Sequence, residues 1–236
     1  MLKSIRCALL VLFLPSSLAL AAEEAIPEIL IKAHATLIGS PNVPGEKLLA
    51  VSFQNIPHWH TYWKNPGDAG LPIKIEAKLG ATSLALRELE WPVPKRYIEA
   101  GDLLAYGYEG DYSLFFGVSP EQLESLKGAE LTVAPGWLIC KHVCIPGKAE
   151  LKAQVSEGLT FSASTHADFQ VPENELMRRL AALPALSDRT AELDLVLART
   201  GEKKLALFYN LETKANKLPS KITGLLMPMP LTPYNF

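Results

Sequence analysis

Between Ile26 and about Val155 the chain consists of short apolar runs broken by turn residues, a pattern that restricts it to a β architecture. The runs fall at 29–38, 47–53, 60–63, 73–77, 84–91, 112–118, 130–133 and 149–155. Alternation is clearest in "ELKAQV", where Leu151, Ala153 and Val155 share one face and Lys152 and Gln154 the other. "NPGDAG" at 65–70 and "YEGD" at 108–111 supply turns. One short helix is expected after Ser119-Pro120-Glu121-Gln122, a capping-box start with proline in the first turn, ending near Gly128. Strands of this number and spacing predict an all-β, immunoglobulin-like β-sandwich over 26–158.

Past Gly158 the texture changes. "VPENELMRRLAALPAL" places Leu176, Leu180 and Leu183 on one side of a helix, which suits a connector packing a single face on a neighbour. Two strand-like runs follow, at 191–198 and 204–209, before the close "GLLMPMPLTPYNF". Residues 170–236 thus read as a C-terminal helix plus a small second β segment, which either completes the first core or is the beginning of something cut short.

The amino terminus, "MLKSIRCALLVLFLPSSLALAA", has a basic start, an apolar run and a small-x-small site, and reads as a signal peptide over 1–21. Its apolar run stops at Pro15, short of the ~20 residues that cross a bilayer, and nothing downstream reads as an anchor. A periplasmic address is expected, in a compartment that permits disulfides. Cleavage would remove Lys3, Arg6 and Cys7, taking the formal charge from −2 to −4 and leaving Cys140 and Cys144 as the only thiols. A mild acidic excess with no basic cluster argues against nucleic acid as a partner.

"GWLICKHVCIP" holds that cysteine pair. Four residues along one strand span ~13 Å, too far for a bridge that needs Cα atoms ~5.5 Å apart. Gly136, Pro146 and the β-branched Ile139, Val143 and Ile145 disfavour a helix. A tight hairpin with Lys141, His142 and Val143 as its loop would bring the sulfurs together. As a staple, so short a loop yields only ~2 kcal/mol on the chain-entropy account. As a redox pair it places a resolving thiol beside an attacking one, with Lys141 and His142 favouring the thiolate. A third reading joins the pair to His58 and His60 of "HWH" as a zinc or copper(I) set, although His58 also reads as a turn residue and His60 as ordinary packing. Residue chemistry alone leaves staple and exchange open.

Four ordered blocks add to this: "PHWHTYWKNPGDAGLPIKI", "WPVPKRY", "AYGYEGDYSLFFGV" and "WLICKHVCIPGKAEL". Together they resemble the amino-terminal periplasmic domain of the DsbD and ScsB thiol-disulfide interchange proteins, over roughly 28–155. The resemblance implies a sandwich whose hairpin cysteines, Cys140 and Cys144, exchange electrons with thioredoxin-like periplasmic proteins in cytochrome c biogenesis or copper tolerance, without a cofactor or bound metal. It places His60 and Tyr62 beside the pair, makes 101–108 the capping loop with Tyr106 as its aromatic, and gives Trp137 and Tyr62 the apolar docking contact. Relatives continue into a membrane conduit and a C-x-x-C domain, so this chain, stopping at Phe236, is expected either to use a separately encoded membrane thiol reductase or to be a truncated remnant. The second reading, from another class, is a non-catalytic periplasmic binding module, copper(I)-binding or pinned by a structural disulfide.

Overall fold

The computed structural model describes residues 26–184, 193–201 and 204–211; the expected signal peptide and the close of the chain lie outside them. Strands β1 (Ile31–Gly39), β2 (Lys47–Asn55), β3 (His60–Gly67) and β4 (Lys74–Leu79) come first, followed by the two-residue pieces β5 (Thr82–Ser83) and β6 (Arg87–Glu88). Then come β7 (Lys95–Glu99), β8 (Leu103–Glu109), β9 (Asp111–Val118), α1 (Pro120–Leu126), β10 (Glu130–Cys140), β11 (Cys144–Lys148), β12 (Leu151–Gln154), β13 (Ser162–Ser164) and α2 (Glu173–Ala181). Finally β14 (Leu193–Gly201) and β15 (Lys204–Leu211) pair antiparallel with each other.

Two antiparallel sheets face each other, which makes the fold the expected immunoglobulin-like sandwich. One runs β13-β1-β2-β9-β6, the other β5-β4-β10-β3-β8-β7, with β11 and β12 added along β10. The "LLAVSF" run of β2 explains why the first sheet is covered on both faces. Leu49, Val51 and Phe53 point between the sheets, against residues such as Trp63, Val133 and Ile139. Leu48 and Ala50 point outward, where they meet Ile38, Phe115 and the α2 residue Leu176, with Leu180 and Leu183 packed at the margin. The amphipathic helix therefore docks by its leucine face, as its spacing predicts. Its Arg179 also reaches the sheet, donating to Ser113 Oγ at 3.0 Å.

Helix α1 starts where its sequence signals lie: the Ser119 N–H donates to Gln122 Oε1 at 3.1 Å. The tight β8–β9 turn uses Gly110 at φ 72°, a backbone state that costs glycine nothing. Two expectations need correction. The run 84–91 is not one strand: only Arg87–Glu88 pairs, with β9, while Leu84 and Trp91 bury their side chains from irregular backbone. Strand β10 does not stop at 133 but continues through Pro135 and Gly136 to Cys140, because β4 and β11 pair with it there.

Candidate functional site

The hairpin β10–β11 closes on the pair Cys140↔Cys144, which is also its last register position. Lys141, His142 and Val143 form the loop, tightened by the Lys141 N–H donating to Val143 O at 3.2 Å. The two cysteines form a disulfide with Cα atoms 4.2 Å apart. On its other side Cys140 pairs with His60 of β3, so His60, Cys140 and Cys144 make one row across three strands. Directly opposed residues share a face, and this row looks away from the sandwich core.

Exposure splits the pair. Cys140 is 2% exposed, whereas Cys144 lies open on the hairpin edge. Cys140 is covered by Tyr62, itself fully buried, whose hydroxyl lies 3.0 Å from Cys140 Sγ and 3.9 Å from Cys144 Sγ. The same hydroxyl donates to Glu99 Oε1 at 2.6 Å, and that oxygen is 3.0 Å from His60 Nε2. His60 stacks on Tyr97 with ring centroids 4.3 Å apart and meets Tyr62 edge-on at 5.3 Å. Burial, then the hydrogen bond and negative charge of Glu99, hold Tyr62 well above the usual phenol range. Burial and the charge of Glu109 likewise push Tyr97 up to about 12. Both phenols stay protonated at neutral pH, so Tyr62 serves the sulfur only as a donor.

The ring of Tyr62 is held from above by the chain at Gly70. With φ at 98°, that residue brings bare backbone so close that an added Cβ would sit 2.2 Å from Tyr62 Cε1. Ala105, with Leu138 and Tyr97 at the margin, completes a small cluster with Tyr62 and Cys140.

Not every residue singled out in the sequence comes to this place. Tyr106 is buried inside the sandwich, 6.4 Å from the Trp63 ring, because strand alternation turns it away and gives the outward position to Ala105. Trp137 also faces the core side, edge-on to Phe53 at 6.1 Å, so it forms no common patch with Tyr62. His142 is exposed at the loop tip and Lys141 is half-buried beside it. His58 stands in the turn before β3 at φ 69°, its N–H donating to Glu109 Oε1, and the two sulfurs are bonded to each other, so the two-Cys, two-His set is not assembled. Among the described residues no group of three or more His, Cys, Asp or Glu is placed to hold a metal.

The residue that sequence reasoning missed is Glu99. Its signal was the "KRYIE" run of β7, where Tyr97 and Glu99 share a face, but a charged edge strand lacks the apolar alternation that marks a core strand.

An outward row bearing a half-open disulfide, with a phenol donor on the buried sulfur, defines a β-sandwich built around a hairpin cysteine pair. The family model for the N-terminal domain of thiol:disulfide interchange protein DsbD matches residues 30–156, and the chain belongs to that family of thiol-disulfide interchange domains. Among solved structures, the N-terminal periplasmic domain of ScsB from Proteus mirabilis is similar in fold. The likeness has a TM-score of 0.53 and 20% identity, covering 80% of this chain and 68% of that one. No curated protein matches the chain. Among the described residues no helix is long and apolar enough to cross a membrane.

Proposed function

We propose that this chain works in the periplasm as an electron-passing module, exchanging its Cys140–Cys144 disulfide with thioredoxin-like proteins. The family and the periplasmic domain of ScsB support the setting. The observation that carries the mechanism is the asymmetry of the pair: an open Cys144 and a Cys140 buried against the Tyr62 hydroxyl.

The cycle begins with a donor thiolate attacking Cys144 Sγ, on the exposed member of the pair. The Sγ–Sγ bond breaks, a mixed disulfide forms at Cys144, and Cys140 leaves as a thiolate. The Tyr62 hydroxyl, 3.0 Å from that sulfur, turns its proton from Glu99 to the new thiolate and stabilises the charge, a hydrogen bond of the stronger, charge-assisted kind. A second donor thiol attacks the mixed disulfide, so the donor departs oxidised and the pair is left as a dithiol carrying two electrons. In the outward half, the Cys144 thiolate attacks a partner disulfide and Cys140 resolves the intermediate, which restores the starting bond.

The test compares Cys140→Ala with Cys144→Ala, each in a Cys7→Ser background, against an oxidised thioredoxin-like protein. Cys140→Ala should accumulate a stable mixed disulfide through Cys144, and Cys144→Ala should yield little. Equal trapping by both variants, or none by either, would overturn the assignment.

A further inference from the structure

Cys140 is nearly closed to water: it is 2% exposed and lies beneath Tyr62, which is fully buried. A sulfur that leaves as a thiolate and is later needed as one must gain and lose a proton there. The Tyr62 hydroxyl is within reach of it, 3.0 Å from Cys140 Sγ. Behind the phenol the contacts continue. Glu99 Oε1 accepts from the Tyr62 hydroxyl at 2.6 Å and lies 3.0 Å from His60 Nε2, so one carboxylate oxygen joins phenol and imidazole. When Tyr62 turns its proton to the thiolate, the 2.6 Å contact is left as two oxygens with no proton between them. A proton delivered to Glu99 Oε1 removes that repulsion, and His60 Nε2 stands next to it.

The surroundings of His60 suit a proton store. Facing it are the phenols of Tyr62 and Tyr97, both held protonated, the Glu99 carboxylate, Cys140 of the pair and, opposite on β8, Glu109. Glu109 is engaged by the Lys95 ammonium at 3.4 Å and by the His58 N–H at 3.1 Å. Of these kinds of side chain, imidazole is the one that changes charge between about pH 5 and 8.

We propose that His60 is the proton reservoir of the exchange, serving Cys140 through Glu99 and Tyr62. In the inward half, protonated His60 passes its Nε2 proton to Glu99 Oε1, Glu99 passes one to the Tyr62 oxygen, and Tyr62 gives its own to the Cys140 thiolate. Glu99 and Tyr62 end as they began, Cys140 is a thiol, and the neutral imidazole recovers a proton from water. In the outward half the same steps run backwards, and Cys140 becomes the thiolate that resolves the mixed disulfide. The proposal rests on the interchange reading given above and adds the route of its proton.

The oxidised full chain, in the Cys7→Ser background, is reduced by dithiothreitol from about pH 8 to about pH 5.5 and quenched by alkylation, each rate being divided by the dithiothreitol thiolate present. Plain exchange is flat on that scale, because only the thiolate attacks. The wild-type rate should instead rise about tenfold toward the acidic end, a modest share of what a positioned acid contributes. His60→Gln keeps a donor for Glu99 and should flatten the profile. Tyr62→Phe, which keeps its ring and cuts the same route, should flatten it too. A flat wild-type profile, or a rise that persists in His60→Gln, overturns the proposal. So does a rise abolished by His142→Gln, which would put the proton at the loop tip. Failure of dithiothreitol to reduce the folded chain at any pH removes the interchange reading, and this proposal with it.

Discussion

The hydroxyl of Tyr62 lies 3.0 Å from Cys140 Sγ while donating its single proton to Glu99 at 2.6 Å. In the disulfide state the carboxylate is the better acceptor, since a disulfide sulfur carries no charge. Once Cys140 leaves as a thiolate, two anions compete for one proton, and the sulfur gains a donor without any backbone movement. The phenol therefore links the chemistry of the pair to a carboxylate that makes no direct contact with it.

Replacing Tyr62 with Phe keeps the buried ring and removes only the donor. A hydrogen bond to a charged group contributes ~1.5–3 kcal/mol, so reduction of the disulfide by dithiothreitol should slow at least about tenfold while thermal stability changes little. Stopped-flow reduction followed by intrinsic fluorescence reads the rate; an unchanged rate would remove Tyr62 from the mechanism.

Glu99→Gln should act in the opposite sense. It withdraws a negative charge from the neighbourhood of the thiolate and frees the Tyr62 proton, so the Cys140 thiol pKa should fall by about one unit, whereas Tyr62→Phe should raise it. Thiolate absorbance of the reduced protein against pH checks both signs. Shifts in the same direction for the two variants would show that the shared proton plays no part.

Gly70→Ala tests how firmly the ring is held. The new methyl meets the Tyr62 ring, and alanine at φ 98° adds backbone strain of ~1–3 kcal/mol. A loss of at least about 2 kcal/mol in denaturant unfolding is expected, together with slower disulfide reduction. Wild-type stability and rate would mean that the segment carrying Gly70 yields without cost.

How much of this was legible in the sequence depends on the element. The hairpin bridge follows from cysteine spacing together with residues that refuse a helix, and α2 from three leucines on one face. The long β10 was hidden because Pro135 and Gly136 interrupt the apolar alternation after Val133, yet Pro135 pairs opposite Ile75 and its carbonyl accepts from the Ala149 N–H. Tyr106 shows the sharper limit: in a strand, a shift of one residue exchanges the core for the surface, and size alone does not say which of Ala105 and Tyr106 looks outward. Glu99 was illegible for a third reason, that its role depends on β7 lying beside the site, a long-range pairing that local pattern does not encode.

Stability should depend on pH through His34, which is buried with Nδ1 accepting from the Val171 N–H and Nε2 2.9 Å from Ser162 Oγ. Burial lowers its pKa below the ordinary 6.5. The unfolded chain then takes up a proton that the folded one refuses. Stability is full above about pH 6.5 and falls with acidification toward the lowered folded value, by up to about 1.4 kcal/mol per pH unit. Denaturant melts of the wild type and His34→Gln at neutral and mildly acidic pH provide the check, with a flatter profile expected for the variant.

The most direct measurement of the central claim is the equilibrium between the Cys140–Cys144 disulfide and a graded glutathione or dithiothreitol redox buffer. An exchanging pair should have a reduction potential between about −180 and −270 mV, the range of proteins that pass electrons onward. A value below about −300 mV, where structural bridges lie, would contradict the account and leave the hairpin disulfide as a staple.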